Sequence, residues 1–160
     1  MRPSLAFEAP ARAAPRTRAE AAIVAYLGLL TEIAERNAER AIGQLQRPTN
    51  PRRLVPLLLN QGSFFDAPRT ARVRGISKMP DQQCFKNAAK LALQEQWLYV
   101  EGFGSNGHPI HHAWCVNARG RVVEPTWENP GTAYFGLALT ATALASYLAA
   151  TGKYGLFDAS

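Results

Sequence analysis

Four strand-like segments follow one another between Leu98 and Leu139, and they constrain the fold more than any other feature of the sequence. Each is short, rich in β-branched and aromatic residues, and bounded by turn-forming residues. The segments are Leu98 to Phe103, Ile110 to Asn117, Arg121 to Glu124 and Tyr134 to Leu139. Their pattern predicts an antiparallel sheet.

Helical patterns precede and follow these strands in the sequence. From Arg18 to Gln46 apolar residues recur at steps of three and four, which predicts one long amphipathic helix. Asp81 to Trp97 is rich in strong helix formers, with Asp81 as a natural N-cap. A last helix is expected from Thr140 to Ala150, ending at Gly152. The apolar stretch Leu54 to Leu59 is compatible with a helix or a strand.

These elements predict a single α+β domain. A chain of 160 residues is about one domain long, and its 47% apolar residues suffice for a core. We place this domain at residues 19–160. The preceding residues 1–18 contain four Arg, three Pro and five Ala with few bulky apolar groups, so they are expected to form a disordered arm.

The positive charge of the chain is concentrated in its first half. Residues 1–80 carry 13 basic and 6 acidic groups, whereas residues 81–160 carry 5 basic and 6 acidic groups. An arginine-rich arm of this kind can bind an anionic partner through Coulomb attraction, or it can simply remain solvated. Both readings stay open from the sequence.

The cysteine content and the apolar runs bear on location. Two cysteines, Cys84 and Cys115, can form at most one disulfide, which does not suggest the framework of a small secreted protein. The apolar run Ala21 to Leu30 lacks a small-residue cleavage site and is too short to cross a bilayer. We therefore expect a cytoplasmic protein without a membrane span.

Cys84 is expected in the first turn of the helix that begins near Asp81. Unpaired backbone N–H groups and the positive end of the helix dipole favour a thiolate at that position. A thiolate is a nucleophile. A cysteine in an alanine-rich helix is also commonly a small buried apolar residue, so the residues around it decide its role.

The strands that flank Ala118 to Gly120 form a predicted hairpin that carries His112 and Glu124. If its loop is odd in length and centred near Ala118, the two residues lie opposite each other on one face. A two-residue turn would set them on opposite faces, so the pairing needs an odd loop or a bulge, which Gly120 can provide. A carboxylate would then orient the imidazole that polarises a thiol.

The order of these residues resembles the transglutaminase-like branch of the papain-like cysteine protease superfamily. In that family a helix-borne Cys is followed by a His-Ala-Trp strand and an Asp-Pro-Thr strand; here they are Cys84, His112-Ala113-Trp114 and Glu124-Pro125-Thr126. The resemblance covers roughly residues 81–135. It implies a Cys-bearing helix packed on an antiparallel sheet, to which the long N-terminal helix is an addition.

The resemblance also implies an activity, which is thiol-dependent acyl transfer on protein or peptide amides. Cys84 would be the nucleophile, His112 the general base and Glu124 the orienting group, with Glu in place of the family's Asp. The reaction would be that of a peptidase, a deamidase or a transglutaminase, and no cofactor or metal is expected. Candidate oxyanion and substrate contacts are Gln83, Gln61, Trp114 and Asn87.

Two other interpretations were weighed. Cys84, Cys115 and the three histidines could ligate zinc, but His112 and Cys115 point to opposite faces of a strand, which argues against a shared site. Alternatively, the chain is a catalytically inactive papain-like adaptor whose basic arm binds an anionic partner. Both alternatives use the same residues without acyl-transfer chemistry.

Overall fold

A computed structural model describes residues 6–7, 12–41, 51–68 and 76–156, with only the backbone described for residues 37–41 and 51–53. Within these ranges the chain forms four helices and five strands. The helices are α1 (Arg18–Ala41), α2 (Pro51–Gln61), α3 (Cys84–Glu95) and α4 (Ala141–Thr151). The strands are β1 (Ser63–Phe65), β2 (Leu98–Ser105), β3 (Pro109–Val116), β4 (Val122–Val123) and β5 (Ala133–Leu139).

The strands form one antiparallel sheet in the order β1-β5-β2-β3-β4. The predicted α+β class and the four predicted strands are therefore confirmed, as is the last helix, which Thr140 caps and Gly152 ends in a left-handed conformation. The ambiguous stretch Leu54 to Leu59 lies within α2. Strand β1 was not predicted, because three residues are too few to show an alternation.

The two faces of the sheet are covered differently, since alternate strand residues point to opposite sides. Every helix of the described residues packs on one side, which we call the helix face. There Phe103, Phe135 and Leu137 contact α1 and α2, and Tyr99, Ala113, Cys115 and Leu139 contact α3 and α4. The other side, the aromatic face, carries Val100, Trp114, Val116, Val122 and Tyr134 with Phe65 and Trp127 packed against them.

Helix α1 begins with a capping box. Thr17 Oγ1 accepts from the Glu20 N–H at 3.1 Å, and Glu20 Oε2 accepts from the Thr17 N–H at 3.3 Å. Two orphan backbone donors are thereby satisfied at the start of the helix. The long predicted helix is confirmed as far as Ala41, and its expected continuation to Gln46 lies outside the described residues.

The segment before α1 differs from the predicted disordered arm where it is described. The Arg12 guanidinium makes a two-pronged contact with Glu20, at 2.9 Å and 2.7 Å, and a third hydrogen bond to Asp66. Its backbone carbonyl accepts from Phe64 N–H at 2.7 Å, and Phe7 packs against the core. Residues 1–5 and 8–11 lie outside the described residues. The composition argument missed this docking because one buried ion pair can anchor a segment that has little apolar bulk of its own.

Among the described residues, no helix is both long and apolar enough to cross a bilayer.

Candidate active site

The β3–β4 hairpin has an odd loop, as its pairing requires. Asn117 N–H bonds to the Arg121 carbonyl at 3.0 Å, and the Asn117 side chain accepts from the Arg119 and Arg121 N–H groups. Gly120 has a φ of +74°, a left-handed conformation that few residues other than glycine adopt readily. The loop is centred at Arg119 rather than at Ala118, since Cys115 pairs with Val123 and Val116 with Val122.

This register moves Glu124 away from the position directly opposite His112. Extending the ladder would place Thr126 opposite His112, so Glu124 shares the face but lies on the diagonal. Diagonal neighbours remain within reach of long side chains. The predicted direct pairing is therefore wrong by two residues, and the additional methylene of Glu relative to Asp compensates for the offset.

His112 and Glu124 form a buried hydrogen-bonded pair. His112 Nε2 lies 2.8 Å from Glu124 Oε2, and both side chains are almost fully buried. Glu124 Oε1 accepts from the backbone N–H groups of Thr126 and Trp127 at 3.0 and 3.1 Å, and Tyr134 OH donates to Oε2 at 3.2 Å. The carboxylate is thus fixed by four donors. Because Nε2 is committed to Glu124, Nδ1 is the ring nitrogen left to serve a thiol.

The Trp127 indole stacks on the imidazole ring of His112. The two rings lie parallel, with centroids 3.8 Å apart and an interplanar angle of 8°. The stack fixes the plane of the imidazole and keeps water from the His112–Glu124 bond. A buried bond of this kind is stronger than the same bond in water.

The start of α3 lies beside the same residues. Met79 N–H bonds to the Pro125 carbonyl at 2.8 Å, and Asn87 Nδ2 donates to Pro80 O at 2.7 Å and to Thr126 Oγ1 at 3.0 Å. These bonds tie the helix start to the segment that follows Glu124. Cys84 is the first residue of α3, and Gln83 occupies the N-cap without a side-chain cap bond.

The expectation that Asp81 caps α3 is wrong. Gln82 has a left-handed φ of 60°, which separates Asp81 from the helix, and Asp81 instead pairs with Lys78 at 2.8 Å. Because Gln83 makes no side-chain cap bond, the first backbone N–H groups of α3 have no acceptor from the N-cap side chain. Those groups surround Cys84, where a ligand oxygen could accept from them.

The Cys84 sulfur lies at the outer edge of β3. The backbone N–H groups of Ala113 and Phe85 lie near this sulfur and lower the pKa of its thiol, and the Ala113 N–H belongs to the peptide that joins His112 to Ala113. Among the described residues, β4 pairs with β3 at Cys115 and Val116, and none forms a strand along this edge at Ala113. The candidate nucleophile Cys84 therefore lies at the peptide group that joins the candidate base His112 to Ala113.

Burial raises the pKa of the Cys84 thiol. The two N–H groups lower it, as expected at a helix start, but burial outweighs them, and the Glu101 and Glu124 carboxylates raise the pKa further. Within the described part of the chain no hydrogen bond joins the Cys84 sulfur to the His112 ring. The thiolate form would therefore depend on transfer of the proton to His112.

The other four predicted site residues lie elsewhere or serve packing. Gln61 ends α2 beside β1, at the sheet edge opposite β4, which removes it from the oxyanion candidates. Trp114 is wholly buried in the aromatic face and is not available to a substrate. Asn87 is also buried, and its amide nitrogen already donates to Pro80 O and Thr126 Oγ1. Gln83 is exposed next to Cys84 and remains a candidate.

The described residues contain no group of three His, Cys, Asp or Glu side chains placed to share a metal ion. His111 and His112 point to opposite faces, His108 is exposed in the β2–β3 loop, and Cys115 donates to Ala88 O at 3.2 Å inside the core. Nothing in this arrangement favours the zinc interpretation.

Compared with protein-family models, with curated proteins and with solved structures, the chain matches none of them. The resemblance to transglutaminase-like enzymes therefore depends on the residues of this chain alone.

Sequence reasoning missed several contributors to the site. The N–H groups of Thr126 and Trp127 follow from the tight turn after Glu124, which the proline of Glu-Pro-Thr could have indicated. Tyr134 and the Trp127 stack come from tertiary contacts. No local pattern marks them.

Proposed function

We propose that this protein is a cysteine-dependent acyl-transfer enzyme acting on amides, with Cys84 as nucleophile, His112 as base and Glu124 as orienting carboxylate. The Cys84 sulfur attacks the amide carbonyl carbon while His112 Nδ1 takes the thiol proton. His112 then gives this proton to the leaving nitrogen, the C–N bond breaks, and a thioester remains. Water or an amine attacks the thioester, and the sulfur leaves to recover its proton.

One observation carries this proposal. The buried His112–Glu124 bond of 2.8 Å commits Nε2, and the Cys84 sulfur lies against the peptide N–H that follows His112. A carboxylate from the segment after β4, an imidazole from β3 and a thiol from α3 thus lie near one edge of the sheet. This arrangement supports acyl transfer by a thiol, because the carboxylate can stabilise the imidazolium that forms.

The start of α3 supports the same chemistry. The Cys84 backbone N–H and the exposed Gln83 side chain are the candidate donors for an oxyanion. Donors of this kind stabilise the charge that develops on the carbonyl oxygen. A papain-like core is part of this proposal, supported by the chain order of Cys-bearing helix, His strand and Glu strand on an antiparallel sheet.

Acyl-enzyme trapping tests the proposal. The protein is incubated with a panel of peptides that carry C-terminal amides or glutamine side chains, and intact mass is measured after acid quench. We expect a thioester adduct on Cys84 and release of ammonia or an amine. Cys84→Ser should abolish thioester formation, whereas Cys115→Ser, the matched control in the core, should retain it. Equal product formation by wild type and Cys84→Ala would refute the proposal.

An inactive adaptor is the second candidate, and the raised pKa of Cys84 favours it. The adaptor would bind its anionic partner through the basic arm, but the charge of Arg12 in this arm is already neutralised by Glu20 and Asp66. Alkylation by iodoacetamide at neutral pH separates the two candidates. A Cys84 that reacts no faster than Cys115 would favour the adaptor.

A further inference from the structure

We propose that Glu101 and His111 form a second carboxylate–imidazole pair that sets the reactivity of the Cys84 thiol from the helix face of the sheet. The pair lies on the opposite side of β3 from His112 and Glu124 and takes no part in the mechanism above. This inference rests on the proposed role of Cys84 as the nucleophile.

Glu101 is a fully buried carboxylate with a complete set of donors. Its Oε2 accepts from Tyr99 OH at 2.8 Å and from the Leu156 N–H at 2.6 Å, and its Oε1 lies 3.1 Å from His111 Nε2. Among the described residues no Lys or Arg pairs with Glu101, so His111 is the one group there that can bring a positive charge to it. Burying a charge without a partner costs folding free energy, so this carboxylate depends on its hydrogen-bond donors to remain in the core.

Sheet register places this carboxylate beside Cys84. Glu101 pairs with Ala113, whose backbone N–H contacts the Cys84 sulfur. Ala113 has only a methyl group, so no large side chain stands between the sulfur and Glu101. His111 is held on the same side by the Phe85 ring at 4.9 Å and the Phe103 ring at 5.6 Å, and Phe85 directly follows Cys84 in α3.

The thiol is therefore flanked by carboxylates from both faces of the sheet. The ionisable groups that face this region are Tyr99 and Glu101 of β2, His111, His112 and Cys115 of β3, Glu124 after β4, and Tyr134 of β5. Glu101 raises the pKa of the Cys84 thiol through its negative charge, and it does so more strongly than Glu124. His111 Nε2–H donates to Glu101 Oε1 and disperses part of this negative charge, so the two members of the pair act on the thiol in opposite directions.

The test uses charge-removing variants and the pH dependence of Cys84 alkylation by iodoacetamide, quantified by peptide mass. Glu101→Gln should shift the midpoint of the rate profile to lower pH by about one unit, which is about tenfold faster alkylation at neutral pH. His111→Ala, which removes the donor to Glu101 Oε1, should shift the midpoint to higher pH. The double variant should behave as Glu101→Gln does, because His111 acts through Glu101.

The control is Glu95→Gln, which removes the same charge from an exposed position near the end of α3 and should leave the profile unchanged. A merely structural pair would give single variants that both lose stability without opposite shifts, and that result overturns the inference. If Glu101→Gln does not fold, His111→Ala decides the question, since His111 is partly exposed. A wild-type Cys84 that is unreactive at every pH would instead refute the proposed function.

Discussion

At Glu124 the side chain reaches His112 along a diagonal of the β3–β4 hairpin, and four donors hold its carboxylate. The two backbone donors come from the turn immediately after it. Tyr134 OH supplies the fourth bond from β5, and both burial and the Glu124 charge raise the pKa of this phenol, so it remains a donor at neutral pH. The geometry makes the length of the Glu side chain a requirement of the site.

We expect Glu124→Gln to slow acyl-enzyme formation by about 10²- to 10⁴-fold, the usual contribution of general acid–base groups. A Gln amide can still accept from Thr126 and Trp127, but it cannot stabilise an imidazolium. Glu124→Asp should also be slow, because the shorter side chain cannot span the diagonal. The measurement is the rate of thioester formation by quenched-flow mass analysis, with circular dichroism to verify folding.

Tyr134→Phe is the matched control for these variants. It removes one donor to Glu124 Oε2 and leaves the other contacts in place, so the loss should be less than about tenfold. If Glu124→Gln were as active as wild type, another group would have to orient His112.

At the scale of the element, α1 is anchored from outside its own length. The capping box of Thr17 and Glu20 satisfies backbone donors, and Arg12 closes the arrangement by binding Glu20 and Asp66 at once. The hydrogen bond from Arg12 is the main cause of the lowered pKa of Glu20. Helix α1 is thus joined to the residue that follows β1.

Arg12→Ala should therefore destabilise the protein by about 1.5–3 kcal/mol, the range for hydrogen bonds to charged groups. Thermal and urea unfolding at neutral pH measure this. Arg16→Ala is the control, since the Arg16 side chain is exposed and only its backbone N–H contacts Glu20. Equal stability of the Arg12 variant and wild type would mean that the segment before α1 is a solvated arm after all.

The same ion pair makes a pH prediction. A carboxyl with a lowered folded-state pKa stabilises the fold above its ordinary value of 4.5, and this contribution disappears as the pH falls through the folded-state value. The stability difference between wild type and Arg12→Ala should therefore be largest at neutral pH and shrink toward pH ~3. A difference that grows on acidification would contradict the assignment.

At the scale of the whole molecule, two glycines decide how closely the central strands approach. Gly102 of β2 pairs with Gly136 of β5 in the middle of the sheet. A Cβ at Gly102 would lie 2.1 Å from the Phe135 carbonyl oxygen and 2.5 Å from Gly136 Cα. Both are backbone atoms, so the clash cannot be relieved by a side-chain rotation. The site depends on this approach, because β2 supports β3 along its whole length.

We expect Gly102→Ala to destabilise the protein by about 2–4 kcal/mol or to prevent folding, as overpacking of a rigid core does. Gly28→Ala in α1 is the opposite control. Among the described residues, no atom other than its chain neighbours and the backbone of its own helix lies within 4 Å of the added Cβ. Better helix propensity should therefore stabilise the protein by about 0.5–1 kcal/mol. Urea unfolding curves for the two variants measure both signs. A Gly102→Ala protein as stable as wild type would show that β2 and β5 can separate at no cost.

The sequence by itself determined the element types outside α2 and β1, because periodicity is a local property. The alternation after Trp97, the three- and four-residue steps after Arg18 and the Thr140 and Gly152 signals are all confirmed within a few residues. The sequence left the length of the hairpin loop open, and the structure shows an odd loop in which Gly120 has a positive φ. The candidate residues Cys84, His112 and Glu124 came from local motifs in the same way.

The tertiary structure alone decided which residues meet. It set the register of the hairpin and joined Arg12 to Glu20 and Asp66. It buried Trp114 and Asn87 and stacked Trp127 on His112. It also paired Glu101 with His111, whose ring contacts Phe85 next to Cys84. Such contacts join residues far apart in the chain or depend on shifts of one or two positions. Their geometry follows from how helices and strands pack, and side-chain periodicity within one segment carries no information about it.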